Sequence, residues 1–178
     1  MISIVTTILA TLIVVGQLSL ILLVVLLLAK SSWLKEKIGK KAMFCALIVA
    51  SVAMLGSLFF SDIAGYEPCK LCWIQRIFMY PQALILLIAL AEKDTRALVY
   101  STALSSIGAV IAGYHYLLQI GIAPPLSCGT VGYSVSCAEK FVMNFGYITI
   151  PLMALTAFLM IFTFSIIGIA WNKNQQKI

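Results

Sequence analysis

Residues 2–29 read ISIVTTILATLIVVGQLSLILLVVLLLA, without one charged side chain. Because a transmembrane helix needs about 20 consecutive apolar residues, this run predicts a membrane span. Four further apolar stretches follow, at about residues 42–63, 73–91, 98–118 and 147–171. The sequence therefore predicts an all-α integral membrane protein with five transmembrane helices.

The composition points the same way. Hydrophobic residues make up 62% of the 178 residues and charged residues only 10%, which exceeds the apolar share of soluble domains. Five spans leave little chain for anything else, so a soluble catalytic domain is excluded. Any chemistry must be carried by helix ends and loops.

The lysines and arginines predict how the chain crosses the membrane. Nine of the twelve fall in segments on one side: Lys30, Lys35, Lys37, Lys40, Lys41, Lys93, Arg96, Lys173 and Lys177. The positive-inside rule puts these segments in the cytosol, with the N-terminus outside and the C-terminus inside. Because the basic residues follow the first apolar run, we expect this run to be retained and not cleaved as a signal peptide. The net charge of +6 thus reflects orientation, and we predict no nucleic-acid partner.

A Cys-x-x-Cys pair, Cys69 and Cys72, stands at the start of the third span. Pro68 suits a helix start, since it lacks the backbone N–H that would go unpaired there. In the first helical turn, the positive end of the helix dipole favours the thiolate. The predicted topology places the pair outside the cytosol, where disulfides persist. A disulfide across this spacing is strained, which favours a redox centre, and the membrane setting indicates a lipid-soluble electron carrier.

Arg76 follows Cys72 by four residues and therefore lies on the same helix face, one turn deeper. A guanidinium there can stabilise a thiolate or a developing oxyanion. The alternative is that Arg76 only extends to the membrane surface.

A second cysteine pair, Cys128 and Cys137, lies in the one long loop, residues 119–146. Its spacing closes a loop rather than a helical turn, and a static disulfide that staples the loop is one interpretation. The other is an electron relay, which requires this pair to approach Cys69 and Cys72. Both pairs emerge on the same side, so the relay is possible.

Three motifs together resemble the DsbB/BdbC family of disulfide-bond-formation proteins: EPCKLCWIQRIFMYP at 67–81, GYHYLLQ at 113–119 and FGYITIP at 145–151, with the cysteine loop between the last two. The similarity covers about residues 42–171 and is closer to the BdbC branch. It implies a four-helix redox bundle in the bacterial cell membrane over residues 42–172. Residues 1–41 would then be an additional helix with a basic linker, and residues 173–178 a cytosolic tail.

The resemblance also implies a mechanism and roles for these residues. Cys72 would contact a quinone, ubiquinone or menaquinone, with Cys69 as its disulfide partner and Arg76 assisting quinone reduction. Cys128 would form the mixed disulfide with a thioredoxin-fold partner similar to DsbA or BdbD, and Cys137 would resolve it. Electrons would pass from the partner to the loop pair, then to Cys69 and Cys72, then to the quinone pool.

Other interpretations stay open at this point. His115, the sole histidine, could hydrogen-bond a quinone carbonyl or be a packed polar residue. Cys45 is interpreted as an inert structural thiol. The four outward cysteines could instead hold zinc, although the spacing of the second pair is unusual for a zinc site. A quinone-linked reductase with the reverse electron flow would use the same site.

Overall fold

The computed structural model describes residues 2–29, 32–124 and 136–175, with no side-chain description at 32–35. Within these residues the chain forms six α-helices: α1 (Ile2–Leu28), α2 (Ser32–Gly39), α3 (Ala42–Leu58), α4 (Lys70–Glu92), α5 (Ala97–Gln119) and α6 (Ile150–Gln175). A π-helical turn over Phe59–Ile63 extends α3. With that turn, α1, α3, α4, α5 and α6 are each long and apolar enough to cross a membrane. The predicted all-α membrane fold with five spans is confirmed.

Helices α3 to α6 form the bundle. α5 packs against both α4 and α6, and α3 also packs against both α4 and α6. Large apolar side chains that are almost fully buried between them are Leu86, Leu98, Phe158, Ile161 and Ile167. Lipid is as apolar as these side chains, so close van der Waals packing rather than hydrophobic burial holds such helices together.

Small residues allow the close helix contacts. A Cβ atom at Gly108 of α5 would collide with the ring of Phe158 on α6. A Cβ atom at Gly168 of α6 would lie 2.7 Å from Cδ1 of Leu98 on α5. The α5–α6 interface is therefore built around glycines that no larger residue can replace unless the neighbouring side chain or the helix shifts.

We predict that Gly108→Ala destabilises the bundle, whereas Gly113→Ala does not. Both glycines are in α5, so both gain the same helix propensity, but a Cβ atom at Gly113 meets nothing within 4 Å. Overpacking against Phe158 should cost about 1–3 kcal/mol. Thermal unfolding in detergent micelles measures the difference, and equal midpoints for the two variants would contradict this account of the interface.

The first helix lies outside the bundle, against α6. Gly16 brings α1 close to α6, since its Cβ position lies 3.1 Å from Sδ of Met160. Gln17 donates from Nε2 to Oγ1 of Thr156 (3.4 Å) and accepts from the Tyr147 hydroxyl (3.0 Å). Near the N-terminus of α1, Asn144 donates from Nδ2 to the carbonyl oxygen of Thr6 (3.0 Å). Polar contacts thus fix α1 to α6 and to the segment that precedes α6.

Two helix starts differ from the predicted ones by three residues, and α6 ends at Gln175 instead of Trp171. α4 begins at Lys70 instead of Trp73, because Cys69, with φ −70° and ψ 171°, already caps the helix. α6 begins at Ile150 instead of Tyr147. Phe145 and Gly146 have positive φ angles and make a turn there, which is closed by a bridge between Asn144 and Ile148.

The basic segment between α1 and α3 contains α2, which the apolar pattern did not predict. α2 packs against the end of α6, where the Cβ position of Gly39 lies 2.6 Å from Cβ of Trp171. Nζ of Lys40 lies 5.5 Å from the centre of the Trp171 ring. This contact combines close packing with a cation–π interaction.

The two ends of the bundle differ in charge. The helix directions place Cys69, Cys72 and the N-terminus of α1 at one end. Most of the described basic residues are at the other end, namely Lys37, Lys40, Lys41, Lys93, Arg96 and Lys173, whereas Lys70, Arg76 and Lys140 are at the cysteine end. The separation is the one that the positive-inside rule requires, and the side of the membrane that each end faces stays a prediction.

Candidate redox site

The first two cysteines meet at the start of α4. Cys69 is the N-cap, and its carbonyl oxygen accepts a hydrogen bond from the backbone N–H of Trp73 (3.1 Å). Pro68 therefore lies just before the cap and not in the first turn, where we expected it. Cys72, in the first turn, has its Sγ 3.4 Å from Sγ of Cys69. Cys69 is buried and Cys72 is half-buried, so one sulfur of the pair is more accessible than the other.

His115 of α5 joins these cysteines to the second loop. Its Nε2 lies 3.0 Å from the carbonyl oxygen of Cys137 and 3.7 Å from Sγ of Cys69. Its Nδ1 lies 2.9 Å from Nε2 of Gln75, one turn beyond the cysteines on α4. A carbonyl oxygen can only accept, so Nε2 carries the proton and Nδ1 accepts from Gln75. The ring is almost fully buried, with 1% of its surface exposed.

Cys137 is buried beside the helix-start pair. It packs in one apolar cluster with Cys69, Leu71 and Leu118. The loop around it is fixed to α5 by carbonyl contacts, since Gln119 also donates from Nε2 to the carbonyl oxygen of Glu139 (2.8 Å). The predicted approach of the two pairs is thus found for Cys137. Cys128 lies outside the described residues.

Arg76 is fixed to α3 by a single serine. Its Nε donates to Oγ of Ser57 (3.0 Å), and Nη2 donates to the Ser57 carbonyl oxygen (3.1 Å). The guanidinium also lies over the rings of Trp73 and Tyr80. Among the described residues, no carboxylate forms a salt bridge with Arg76. The arginine is therefore half-buried and held between α3 and α4 by neutral groups.

A cavity of about 340 Å³ opens beside these residues. Its polar lining near the cysteines includes Cys72, Gln75, Arg76 and His115, together with the exposed Glu67 and Glu139. Away from the cysteines its walls are mainly apolar and come from α1, α3, α4 and α6, including Ile13, Val49, Val52, Met79, Ala157 and Met160. The shape and lining suit a ligand with a polar head and a long apolar body.

The comparisons with known proteins identify the family. The model of the family described as "Disulfide bond formation protein DsbB" matches residues 39–168. The chain belongs to the DsbB family. Membership makes the protein a membrane-bound, disulfide-forming oxidoreductase, as the resemblance of its motifs predicted.

Individual relatives agree with this family assignment. The chain is similar to a probable disulfide formation protein C 1 of Bacillus anthracis, 44% identical over 141 residues that cover 79% of this chain and 99% of that protein. It is 45% identical over 127 residues to disulfide bond formation protein C of Bacillus subtilis strain 168, covering 68% of this chain and 88% of that protein. No solved structure matches the chain significantly. α1 lies before the residues that the DsbB family model matches.

The acidity of Cys69 in this DsbB-family site differs from our expectation. The hydrogen bond that Cys69 donates to Cys72, together with burial, raises the pKa of the Cys69 thiol to about 12, and the contact with His115 opposes this only in part. The sequence predicted a lowered pKa from the helix dipole. Burial and a neighbouring sulfur outweigh the dipole at the cap position. In the reduced pair, Cys69 therefore keeps its proton at neutral pH.

We predict that Cys72 is alkylated before Cys69 in the fully reduced protein at pH 8. Cys69 loses its proton only near pH 12, and only the thiolate is a good nucleophile. Peptide mass spectrometry after a short iodoacetamide pulse measures the order, with the protein unfolded in detergent as the control. Equal or faster labelling of Cys69 would contradict the assigned geometry.

A zinc site was the competing interpretation. The contacts of the described cysteines and of His115 show how well these residues could hold a metal ion. Cys69, Cys72 and His115 offer ligand atoms that all lie within 4.8 Å of one another. However, Nε2 of His115 donates to a carbonyl oxygen and Nδ1 accepts from Gln75. Neither ring nitrogen has a lone pair available for a metal in this arrangement, so the histidine fits a hydrogen-bonding role better.

Sequence reasoning missed two residues of the site. Gln75 lies three residues after Cys72, so the helical period alone could have placed it on the same face. Ser57 on α3 gave no such signal, because its contact with Arg76 depends on how two helices pack. Cys45, in the first turn of α3, packs beside the core at the other end of the bundle, as a structural thiol would.

Proposed function

We propose that this protein is a quinone-linked thiol–disulfide oxidoreductase that reoxidises a thioredoxin-fold partner similar to DsbA or BdbD. The observation that carries the proposal is the arrangement around His115. Cys137 lies beside Cys69 there, and Cys69 and Cys72 line the polar end of an apolar cavity. A protein partner and a membrane carrier can then act on the same cluster of sulfur atoms from opposite sides.

The first half of the reaction is thiol–disulfide exchange. The partner's dithiol reduces the Cys128–Cys137 disulfide through a mixed disulfide at Cys128, and the partner leaves with its own disulfide. Cys137 then attacks Cys69 of the Cys69–Cys72 disulfide, and Cys72 departs as a thiolate. Attack of Cys128 on Cys137 restores the loop disulfide and releases Cys69. Each step breaks one S–S bond and forms one, and two electrons and two protons reach the helix-start pair.

The second half returns Cys69 and Cys72 to the disulfide. A bound quinone, ubiquinone or menaquinone, supplies the oxidising power by accepting the two electrons and two protons. Cys72 is the half-buried sulfur that lines the cavity, and Arg76 holds an unpaired positive charge there. The charge of Arg76 stabilises negative charge on a sulfur or oxygen nearby. The Nε2–H of His115 can donate to the Cys69 sulfur as it becomes a thiolate.

The orientation follows from the charges. The basic end of the bundle would face the cytosol, with the C-terminus, and the cysteine end would face outward across the bacterial cell membrane. Disulfides survive in that outer compartment, whereas cytosolic reductants keep thiols reduced. The proposed electron flow therefore removes electrons from secreted proteins through the partner and delivers them to the quinone pool.

Quinone reduction by the purified protein tests the proposal. With a reduced thioredoxin-fold partner as donor, wild type should turn over, and Cys72→Ser and Cys128→Ser should each lose turnover. Cys45→Ser is the matched control and should keep it, because Cys45 lies at the opposite end of α3 from the site. Folded wild type that reduces neither ubiquinone nor menaquinone would contradict the proposal. Stoichiometric zinc in such a protein would favour the metal site instead.

Arg76→Met should weaken quinone use more than partner use. Loss of a hydrogen bond to a charged group costs about 1.5–3 kcal/mol, so kcat/KM for the quinone should fall about 10- to 100-fold. Steady-state kinetics, with the quinone and the reduced partner varied in turn, measures kcat/KM for each of the two substrates. Lys70→Met, an exposed cation in the first turn of the same helix, is the control and should change little. Unchanged quinone kinetics in Arg76→Met would contradict the role of this residue.

A further inference from the structure

The first helix forms one wall of the cavity that ends at Cys72 and Arg76. The α1 side chains that line it come from one face of the helix: Leu9, Leu12, Ile13, Val15, Gly16 and Ser19. Ten residues of an α-helix extend about 15 Å, so this wall follows the cavity a long way into the span. The Ser19 hydroxyl donates to the Gly16 carbonyl oxygen within α1 (2.9 Å), which leaves the wall without an unpaired donor.

The cavity is open on one side, between α1 and α3. α1 packs mainly against α6, and it has far fewer contacts with α3, one of them between Leu9 and Gly56. Leu12 and Val15 on α1 and Ile48 and Val52 on α3 line the cavity and are still exposed. Exposed apolar side chains at mid-span face lipid, so this gap connects the cavity with the bilayer interior.

We propose that α1 holds the isoprenoid tail of the quinone and that the gap between α1 and α3 is its lateral entrance from the bilayer. This inference rests on the proposed function and adds a substrate-binding element to it. The DsbB family model begins at residue 39, so the wall that α1 supplies is an addition to the matched bundle. The helix therefore has a role in substrate binding beyond that of an anchor.

The chemistry of the cavity selects this occupant. A prenylated quinone has a polar ring and a long apolar tail, and the cavity has polar groups at the cysteine end and apolar walls beyond them. A tail between α1, α3 and α6 would place the attached ring next to Cys72, where electrons must be accepted. A phospholipid chain in the same space would instead block Cys72 from any electron acceptor.

Photolabelling tests the position of the tail. A quinone analogue with a diazirine on its isoprenoid tail is cross-linked to the full-length protein in liposomes, and the labelled peptides are identified by mass spectrometry. We expect adducts on the α1 face that contains Leu12. An excess of unlabelled long-tailed quinone should lower the yield of these adducts. Adducts confined to α3–α6 would overturn the inference. So would labelling of the same face by a photoreactive phospholipid that long-tailed quinone does not displace.

A matched pair of substitutions in α1 sharpens the test. Leu12 and Leu18 are both exposed, 51% and 64%, so tryptophan at either position displaces no buried packing, but only Leu12 lines the cavity. Leu12→Trp should lower α1 labelling and raise KM for long-tailed quinone about tenfold, which corresponds to losing the burial of about two methylene groups. Leu18→Trp should change neither quantity. Equal effects of the two substitutions would overturn the inference.

A quinone without a tail separates failure of this inference from failure of the proposed function. Leu12→Trp should leave its KM unchanged, because the ring site at Cys72 and Arg76 is intact. If wild type reduces the tail-less quinone but α1 is never labelled, the inference alone is wrong. If wild type reduces no quinone of either kind, the proposed function is wrong and the inference falls with it.

Discussion

The redox site depends on the hydrogen bonds made by the two nitrogens of His115. Nδ1 accepts from Gln75 on α4, and Nε2 donates to the carbonyl oxygen of Cys137 and faces the sulfur of Cys69. One buried ring thus joins α4, α5 and the second loop. Each member of the site is a helix end or loop that would otherwise be free to move separately. Because buried polar groups must be paired, the contact also fixes which loop carbonyl lies over the cysteines.

The membrane imposes the division between the two halves of the site. In the proposed function, the protein partner would reach the site from the end of the bundle where Cys137 lies, whereas an apolar carrier would reach it from the lipid, through the cavity lined by Cys72 and Arg76. Arg76 is held at that boundary by Ser57 and by two aromatic rings rather than by a carboxylate. A half-buried charge without a salt bridge is costly in a membrane span, which supports the proposed role of Arg76 in stabilising negative charge.

The sequence predicted the fold class and the disulfide-forming activity. It did not predict which side chains of different helices contact each other. Apolar length was enough to predict five helices, and the spacing from Cys72 to Arg76 was enough to predict that both side chains lie on one helix face, where they line one cavity. The apolar helices look alike on every side, so no pattern showed that α1 packs against α6 or that Ser57 meets Arg76. α2 was missed because it is short and polar. The N-cap role of Cys69, with its raised pKa, depends on backbone angles and burial that spacing does not encode.

Direct cross-linking between the two cysteine pairs tests the central claim, which is that the loop pair and the helix-start pair exchange electrons. In a Cys72→Ser/Cys128→Ser double variant, Cys69 and Cys137 keep no other partner within their own pairs. Mild oxidation followed by peptide mass spectrometry should then find a Cys69–Cys137 disulfide within one chain, with Cys45 still reduced. A variant that stays fully reduced at Cys69, or that forms only disulfides between chains, would contradict the relay.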